Sequence, residues 1–178
     1  MKRTTLLCML AVLSIPVSVS AQEAPSNPVT DAAKQMHARF GSFLMAAADE
    51  VPESMLSYKP TEAQMSFGTV WAHLAGANRA ICSAIGGMAA PDTPERHGTE
   101  DKATLVKELK DSFAFCDRAF AATDDGDLGA TVDMGFMKGT RAMAMFVYVE
   151  DLADHYSQVA NYMRLNDMLP PSAKGRGD

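Results

Sequence analysis

Apolar residues recur at helical spacing in four blocks of this chain, and proline or glycine residues separate the blocks. The blocks lie near 28–50, 66–86, 99–120 and 140–166, and no segment alternates like a strand over more than a few residues. Four helices of such lengths are typical of a helical bundle. The sequence therefore predicts an all-α fold, a four-helix bundle with a long loop at 123–139 before the last helix.

Residues that cap or break helices mark where the predicted helices begin and end. Pro28 suits the first position of the first helix, and Ser66 and Thr140 are good N-caps for the second and fourth. Gly87 follows the end of the second helix. The third helix is expected to start near Thr99.

The N-terminal segment has the three parts of a secretory signal. Lys2 and Arg3 form a positive start, an apolar stretch reaches Val19, and small residues end at Ala21. The apolar stretch is shorter than the ~20 residues that a membrane-spanning helix needs. We therefore expect residues 1–21 to be a removable signal peptide and the protein to be periplasmic or secreted, with no membrane span after cleavage.

Cleavage after Ala21 leaves one domain of ordinary size. We assign 22–171 to the helical domain and 172–178 to a flexible tail beyond two consecutive prolines. Loss of two N-terminal charges changes the formal net charge from −6 to about −8, and no basic cluster remains in the domain. Nucleic acid is therefore not expected as a partner. A small-molecule substrate or ligand fits, and a homodimer is compatible because small helical bundles often pair.

Two cysteines, Cys82 and Cys116, fall on the predicted second and third helices. An oxidising compartment permits a disulfide between them. Two buried thiols are the alternative, because free cysteine packs as a small apolar residue. The sequence alone does not give the Cα separation that a disulfide requires.

The fourth predicted helix carries a carboxylate and an imidazole on its inward face. Asp151 and His155 lie four residues apart, so their side chains stand one turn above the other. The same broad face holds Tyr148 and Tyr162, and Gln158 lies close to it. Because an unpartnered buried carboxylate is costly, Asp151 needs a metal ion, a protonated histidine, or hydrogen bonds near the solvent-facing end of the bundle.

His73 is the candidate third ligand, because it lies beside a strip of small residues where another helix can approach the second helix closely. A lone histidine at the edge of the bundle, hydrogen-bonded or wet, is the alternative. His37 and His97 are weaker candidates. His37 has polar neighbours on its helix, and His97 lies in a loop bounded by proline and glycine.

Two motifs resemble the corresponding segments of the DinB superfamily. The first is Ser66-Phe-Gly-Thr-Val-Trp-Ala-His73-Leu-Ala, preceded by Tyr58-Lys59-Pro60. The second is Asp154-His155-Tyr156-Ser157-Gln158, followed by Tyr162-Met-Arg-Leu-Asn166 and then Pro170-Pro171. The order and spacing of these motifs agree with that family over about 30–171.

The resemblance implies a four-helix bundle with a divalent metal site built from three histidines. Carried over by position, the first ligand is His73, the last is His155, and the middle one falls at Asp151, where the family usually has histidine. Two histidines and one carboxylate suit Zn²⁺, Ni²⁺, Mn²⁺ or Fe²⁺ and leave positions open for water or substrate. The arginine-glycine pair that commonly follows the last histidine is Tyr156-Ser157 here, although Gln158 matches.

DinB-like proteins include enzymes of metal-dependent thiol transfer and of related hydrolytic or isomerising steps. The resemblance therefore implies a metal-dependent hydrolase or transferase, in which Tyr148, Gln158 or Tyr162 orients a substrate. The alternative is a non-catalytic helical module that binds a ligand or partner and whose metal site is degenerate. A third interpretation makes the three candidate ligands a structural polar cluster. Convergence of the three side chains in a pocket would favour the metal site.

Overall fold

The computed structural model describes residues 26–174, which form a bundle of four long helices. The helices are α1 (Pro28–Glu50), α2 (Phe67–Gly86), α3 (Lys102–Ala121) and α4 (Arg141–Leu165). The prediction of an all-α four-helix bundle is confirmed. The expected signal peptide, residues 1–21, lies outside the described residues.

Three of the helix ends have the capping residues that the sequence predicts. Ser66 Oγ accepts a hydrogen bond from the Thr69 N–H at 3.2 Å, and the side chain of Thr140 caps α4 in the same way. Gly87 ends α2 with φ +62°, a left-handed conformation that glycine adopts without steric cost. The predicted limits of α2 and α4 therefore agree with the structure.

The start of α3 lies three residues beyond the expected Thr99. Asp101 is the N-cap, because its Oδ1 accepts a hydrogen bond from the Thr104 N–H at 2.8 Å. Glu100 stays outside the helix, where its carboxylate accepts hydrogen bonds from the N–H groups of His97 and Gly98. An acidic pair before a helix favours its first turn, and here only the second member of the pair takes the capping position.

The loop expected at 123–139 contains regular structure that the sequence does not reveal. A short 3₁₀ turn at Asp125–Asp127 precedes an antiparallel hairpin of β1 (Thr131–Asp133) and β2 (Lys138–Thr140). Strands of three residues are too short for an alternating pattern to be read. The hairpin turn needs Gly135, whose φ is +88°.

The chain stays attached to the bundle beyond its two consecutive prolines. A 3₁₀ turn spans Pro171–Ala173, and the Ser172 N–H donates a hydrogen bond to Tyr156 Oη at 2.8 Å. Lys174 forms an ion pair with Glu50 on α1 at 2.6 Å. The tail expected from residue 172 is therefore held against α1 and α4 as far as Lys174.

The core is built around α2, which packs against both α3 and α4. Its centre is rich in fully buried aromatic side chains, among them Phe67, Trp71, Phe120, Tyr148 and Tyr162. A disulfide between Cys82 and Cys116, with a Cα–Cα distance of 5.2 Å, joins α2 to α3.

Among the described residues, none of the helices is long and apolar enough to cross a membrane.

An irregular segment, residues 88–98, runs from the C-terminal end of α2 back to its N-terminal end, and we call it the strap. At its far end Gly98 approaches α2 so closely that a Cβ on Gly68 would lie 2.2 Å from the Gly98 carbonyl oxygen. Arg96 of the strap binds Glu108 on α3 at 3.1 Å. The strap therefore forms one wall of the surface beside α2.

Candidate metal centre

Three side chains from two helices converge where α2 packs against α4: His73, Asp151 and His155. Oδ1 of Asp151 lies 3.2 Å from Nε2 of His73 and 3.5 Å from Nε2 of His155. The potential ligand atoms of all three residues lie within 4.8 Å of one another. The structure thus brings together the residues that the sequence proposes as ligands, and we call them the triad.

The distances within the triad match the spacing of ligands around one small cation. Zn²⁺ binds nitrogen and oxygen ligands at about 2.0–2.2 Å, so neighbouring atoms of a tetrahedral set are about 3.3–3.6 Å apart. Of the two distances from Asp151 Oδ1, 3.5 Å lies within this spacing and 3.2 Å lies just below it. All the potential ligand atoms lie within 4.8 Å of one another, so small side-chain movements bring them around one ion.

A chain of hydrogen bonds sets the orientation of the His155 ring and the position of its proton. Tyr162 Oη donates to the Met65 carbonyl oxygen at 3.0 Å and accepts from Nε2 of Gln158 at 2.7 Å. The amide oxygen of Gln158 is then left facing Nδ1 of His155 at 3.1 Å, so Nδ1 carries the proton. In neutral His155 the lone pair is therefore on Nε2, the atom that faces Asp151.

The triad has more acceptors than donors. Oδ2 of Asp151 is buried without a hydrogen-bond partner. Burial alone would raise the pKa of Asp151, but hydrogen bonds from His155 and His73 and the charges of these rings lower it to about 2. Burial would likewise lower the pKa of His155, whereas its hydrogen bonds with Asp151 and Gln158 raise it. Both pKa shifts favour the charged forms, an ionised Asp151 beside a protonated His155.

The triad lies at the side of an open groove of about 960 Å³, which is bounded by α2, α4 and the strap. The His73 side chain is 39 % exposed, that of Asp151 19 % and that of His155 9 %. A small molecule in the groove therefore reaches the triad from the side of His73 and Asp151.

The residues expected to orient a substrate have different positions. Gln158 and Tyr162 support His155, as the hydrogen-bond chain shows, and Tyr162 is fully buried. Tyr148 does not belong to the site. It is fully buried, and its hydroxyl lies 2.7 Å from Nδ1 of His37 on α1, which removes it from contact with a substrate.

Sequence reasoning missed the environment of His37. This ring is buried against Phe113, Phe120 and Tyr148, and its Nε2 lies 2.9 Å from Oδ1 of Asp117 on α3. The polar neighbours of His37 on α1 indicate an exposed position, and only the packing of three helices reveals the burial. His97, the other weaker candidate, is exposed on the strap.

Comparison with solved structures gives related bundles. A DinB-like protein from Bacillus cereus matches with a TM-score of 0.66 and 18 % identity, over 79 % of this chain and 95 % of its own. A DinB-like protein from Bacillus subtilis matches with a TM-score of 0.59 and 20 % identity, over 80 % of this chain and 99 % of its own. At such identities the likeness shows the fold alone.

Comparison by sequence identifies the family. No curated protein matches the chain significantly. The family model of the DinB superfamily matches residues 36–159, a span that contains all four helices in whole or in large part and the complete triad. This chain therefore belongs to the DinB superfamily.

Proposed function

We propose that this protein binds one divalent metal ion through His73, Asp151 and His155 and is a metal-dependent hydrolase or transferase acting on a small molecule. One observation carries the proposal. The hydrogen-bond chain places the lone pair of neutral His155 on the nitrogen that faces the Asp151 carboxylate, 3.5 Å away. Two acceptors in that position repel each other unless a proton or a metal ion lies between them.

A purely structural cluster accounts for the geometry less well. His73 can donate its Nε2 proton to Asp151, which gives the carboxylate one hydrogen bond. His155 cannot do the same while its proton is held on Nδ1 by Gln158, so it must bind a second proton or a metal ion. Oδ2 of Asp151, buried without a partner, adds a further acceptor for a cation.

The donor set also fits the proposed ion chemically. Two imidazole nitrogens and a carboxylate suit Zn²⁺, Ni²⁺, Mn²⁺ or Fe²⁺ and leave coordination positions open. A divalent ion at such a site supplies Lewis acidity, which polarises a substrate oxygen or lowers the pKa of a bound water. The chain itself orients His155 through Gln158 and Tyr162, and the groove beside His73 admits the substrate.

The proposal includes export of the protein. Its support is the N-terminal segment, which resembles a signal peptide, and the disulfide between Cys82 and Cys116, a bond that persists in oxidising compartments. Cell fractionation of the full-length chain and N-terminal sequencing test it. We expect a mature protein in the periplasm or medium that begins at Gln22, and an intact chain in the cytosol would contradict export.

Metal content, measured by mass spectrometry on protein purified without a metal-binding tag, tests the metal centre. We expect about one divalent ion per chain and its loss in Asp151→Asn, since an amide replaces the charged ligand. Asp111→Asn is the matched control, because Asp111 is also a helical aspartate, paired with a cation four residues away, at 2.6 Å from Lys107. Failure of Zn²⁺, Ni²⁺, Mn²⁺ and Fe²⁺ to bind during reconstitution would overturn the proposal.

A further inference from the structure

The floor of the groove beside the triad contains a glycine, Gly76, that the fold does not require. Gly76 lies on α2 one turn after His73 and lines the groove. A Cβ built on Gly76 would meet no atom within 4 Å. Glycine inside a helix costs about 0.5–1 kcal/mol relative to alanine, and no neighbouring group needs the space. The space is therefore available to a ligand lying against α2.

An exposed aromatic ring bounds the same groove. Phe136 lies at the turn of the β1–β2 hairpin, is 63 % exposed and lines the groove together with Val147 of α4. On the floor, Ala77 and Ala80 continue the apolar surface beyond Gly76. A ligand with an apolar body, placed between Phe136 and α2, would cover surface that this chain leaves in water.

The charged residues of the groove favour a positive ligand. Glu150 and Asp154 line it from α4 and Glu95 lines it from the strap. Within residues 26–174 none of these three carboxylates has an oxygen within 4.0 Å of a cationic side-chain nitrogen, so none of them forms an ion pair. Glu150 and Asp154 are four residues apart on one helix, a spacing at which like charges destabilise each other.

The positive side chains of the groove offset these carboxylates only in part, and they lie away from α4. Arg79 and Arg96 both bind Glu108 on α3, Arg79 through a short ion pair and Arg96 at 3.1 Å. Glu108 is nearly buried, and despite its burial the hydrogen bonds from Arg96 and Arg79 lower its pKa, so it is ionised. The two guanidinium groups are thus directed to α3, while the side of the groove along α4 remains negative.

We infer that the substrate is a small molecule with an apolar, aryl-sized body and a positively charged group. The body lies on the floor at Gly76 beneath Phe136, and the cationic group lies against Glu150 and Asp154. The volume of about 960 Å³ is at the upper end of ligand pockets, which are about 300–1,000 Å³. This inference rests on the proposed metal centre, because the groove is the access to the triad.

Three probes that share one fluorophore and differ in charge test this inference: dansylcadaverine, which is positive, dansylamide, which is neutral, and dansylglycine, which is negative. Fluorescence titration of each probe into the metal-loaded protein gives its affinity. We expect dansylcadaverine to bind at least about tenfold more tightly than dansylglycine, with dansylamide between them. Equal or tighter binding of dansylglycine would overturn the inference.

Variants locate the bound probe. Gly76→Leu is expected to abolish binding of dansylcadaverine without unfolding the protein, because the added side chain enters open space. Phe136→Ala should weaken binding, whereas Phe146→Ala, which removes an equally exposed ring outside the groove lining, should not. Unchanged affinity in Gly76→Leu would place the probe elsewhere and overturn the inference.

Charge removal and metal content complete the test. The double change Glu150→Gln and Asp154→Asn should remove the preference for the positive probe, and a preference that persists contradicts the assigned contacts.

Metal content of each sample, measured by mass spectrometry, separates the two proposals. A metal-loaded protein that shows no charge preference refutes the ligand class alone, whereas a protein that takes up no metal refutes the metal centre whatever the probes do.

Discussion

Two histidines in this bundle are almost equally buried, with the His37 side chain 8 % exposed and the His155 side chain 9 % exposed, yet their surroundings differ in one respect. The His37 ring is fully paired, because its Nε2–H donates to Asp117 and its Nδ1 accepts from the Tyr148 hydroxyl. The His155 ring has one satisfied nitrogen and one lone pair that faces a carboxylate. The first cluster is complete as it stands, whereas the second needs a further proton or a metal ion.

The comparison shows that burial alone does not identify a functional histidine. The balance of donors and acceptors around the ring does so. At His37 the partners come from α3 and α4, so the ring ties three helices together. At His155 the excess of acceptors calls for a cation, and the open groove gives access to it.

Removal of one ring from each cluster gives the largest expected contrast. His155→Gln is expected to weaken Zn²⁺ binding at least about 100-fold, since the binding free energy of such a site is shared among a few ligands. His37→Leu should leave that affinity unchanged. Isothermal titration calorimetry on both variants measures the difference, and loss of Zn²⁺ binding in His37→Leu would show that the two clusters are not independent.

Stability should respond in the opposite way. His37→Leu is expected to lower the free energy of unfolding by about 2 kcal/mol, because the buried hydroxyl of Tyr148 loses its partner. Urea unfolding of the metal-free protein measures this change. His97→Gln, on the exposed strap, is the control and should alter stability by less than about 0.5 kcal/mol. An equal loss in both variants would contradict a supporting role for His37.

The sequence predicts one part of this comparison well. The four-residue spacing of Asp151 and His155 places them on the inward face of α4, and the structure finds them there. Helical periodicity alone cannot place His73 beside them, because that contact depends on how α2 packs against α4. The strip of small residues beside His73 made it a candidate, and the family resemblance gave the same residue. Tyr148 shares the inward face with His155, but its partner His37 comes from α1, and no local pattern reports a contact between distant segments.

Two tyrosines on α4 allow a finer test of the same contrast. Tyr162→Phe removes the hydroxyl that holds Gln158, and loss of such an outer hydrogen bond weakens metal binding by about 10-fold or more. Tyr148→Phe should keep full metal affinity and lose about 1 kcal/mol of stability through its hydrogen bond with His37. Calorimetric Zn²⁺ titration and urea unfolding of both variants separate the roles, and equal metal affinity in the two would remove Tyr162 from the support of the site.

The smallest expected effect is the pH dependence of the metal-free protein. Burial lowers the pKa of His155, but Asp151 and Gln158 as hydrogen-bond partners and the charges of Asp151 and Asp154 raise it above its ordinary value. A histidine whose pKa is raised by folding stabilises the folded state below its unfolded pKa of about 6.5, and this contribution is lost as the pH rises through the folded pKa. Metal affinity has the opposite sign, since a proton on His155 competes with the ion at low pH.

NMR titration of the His155 ring in metal-free protein measures this shift, and Asp151→Asn is the decisive variant. Loss of the carboxylate should bring the pKa of His155 down, because burial is then opposed only by the hydrogen bond with Gln158 and the charge of Asp154. In the wild type the pair also loses stability in acid. Asp151 takes up its proton near pH 4 in the unfolded chain but only near its lowered pKa of about 2 in the folded protein, so its contribution to stability declines between these two pH values. If His155 titrates below its ordinary range in the wild type, the carboxylate does not dominate its surroundings, and the need for a cation at the triad disappears.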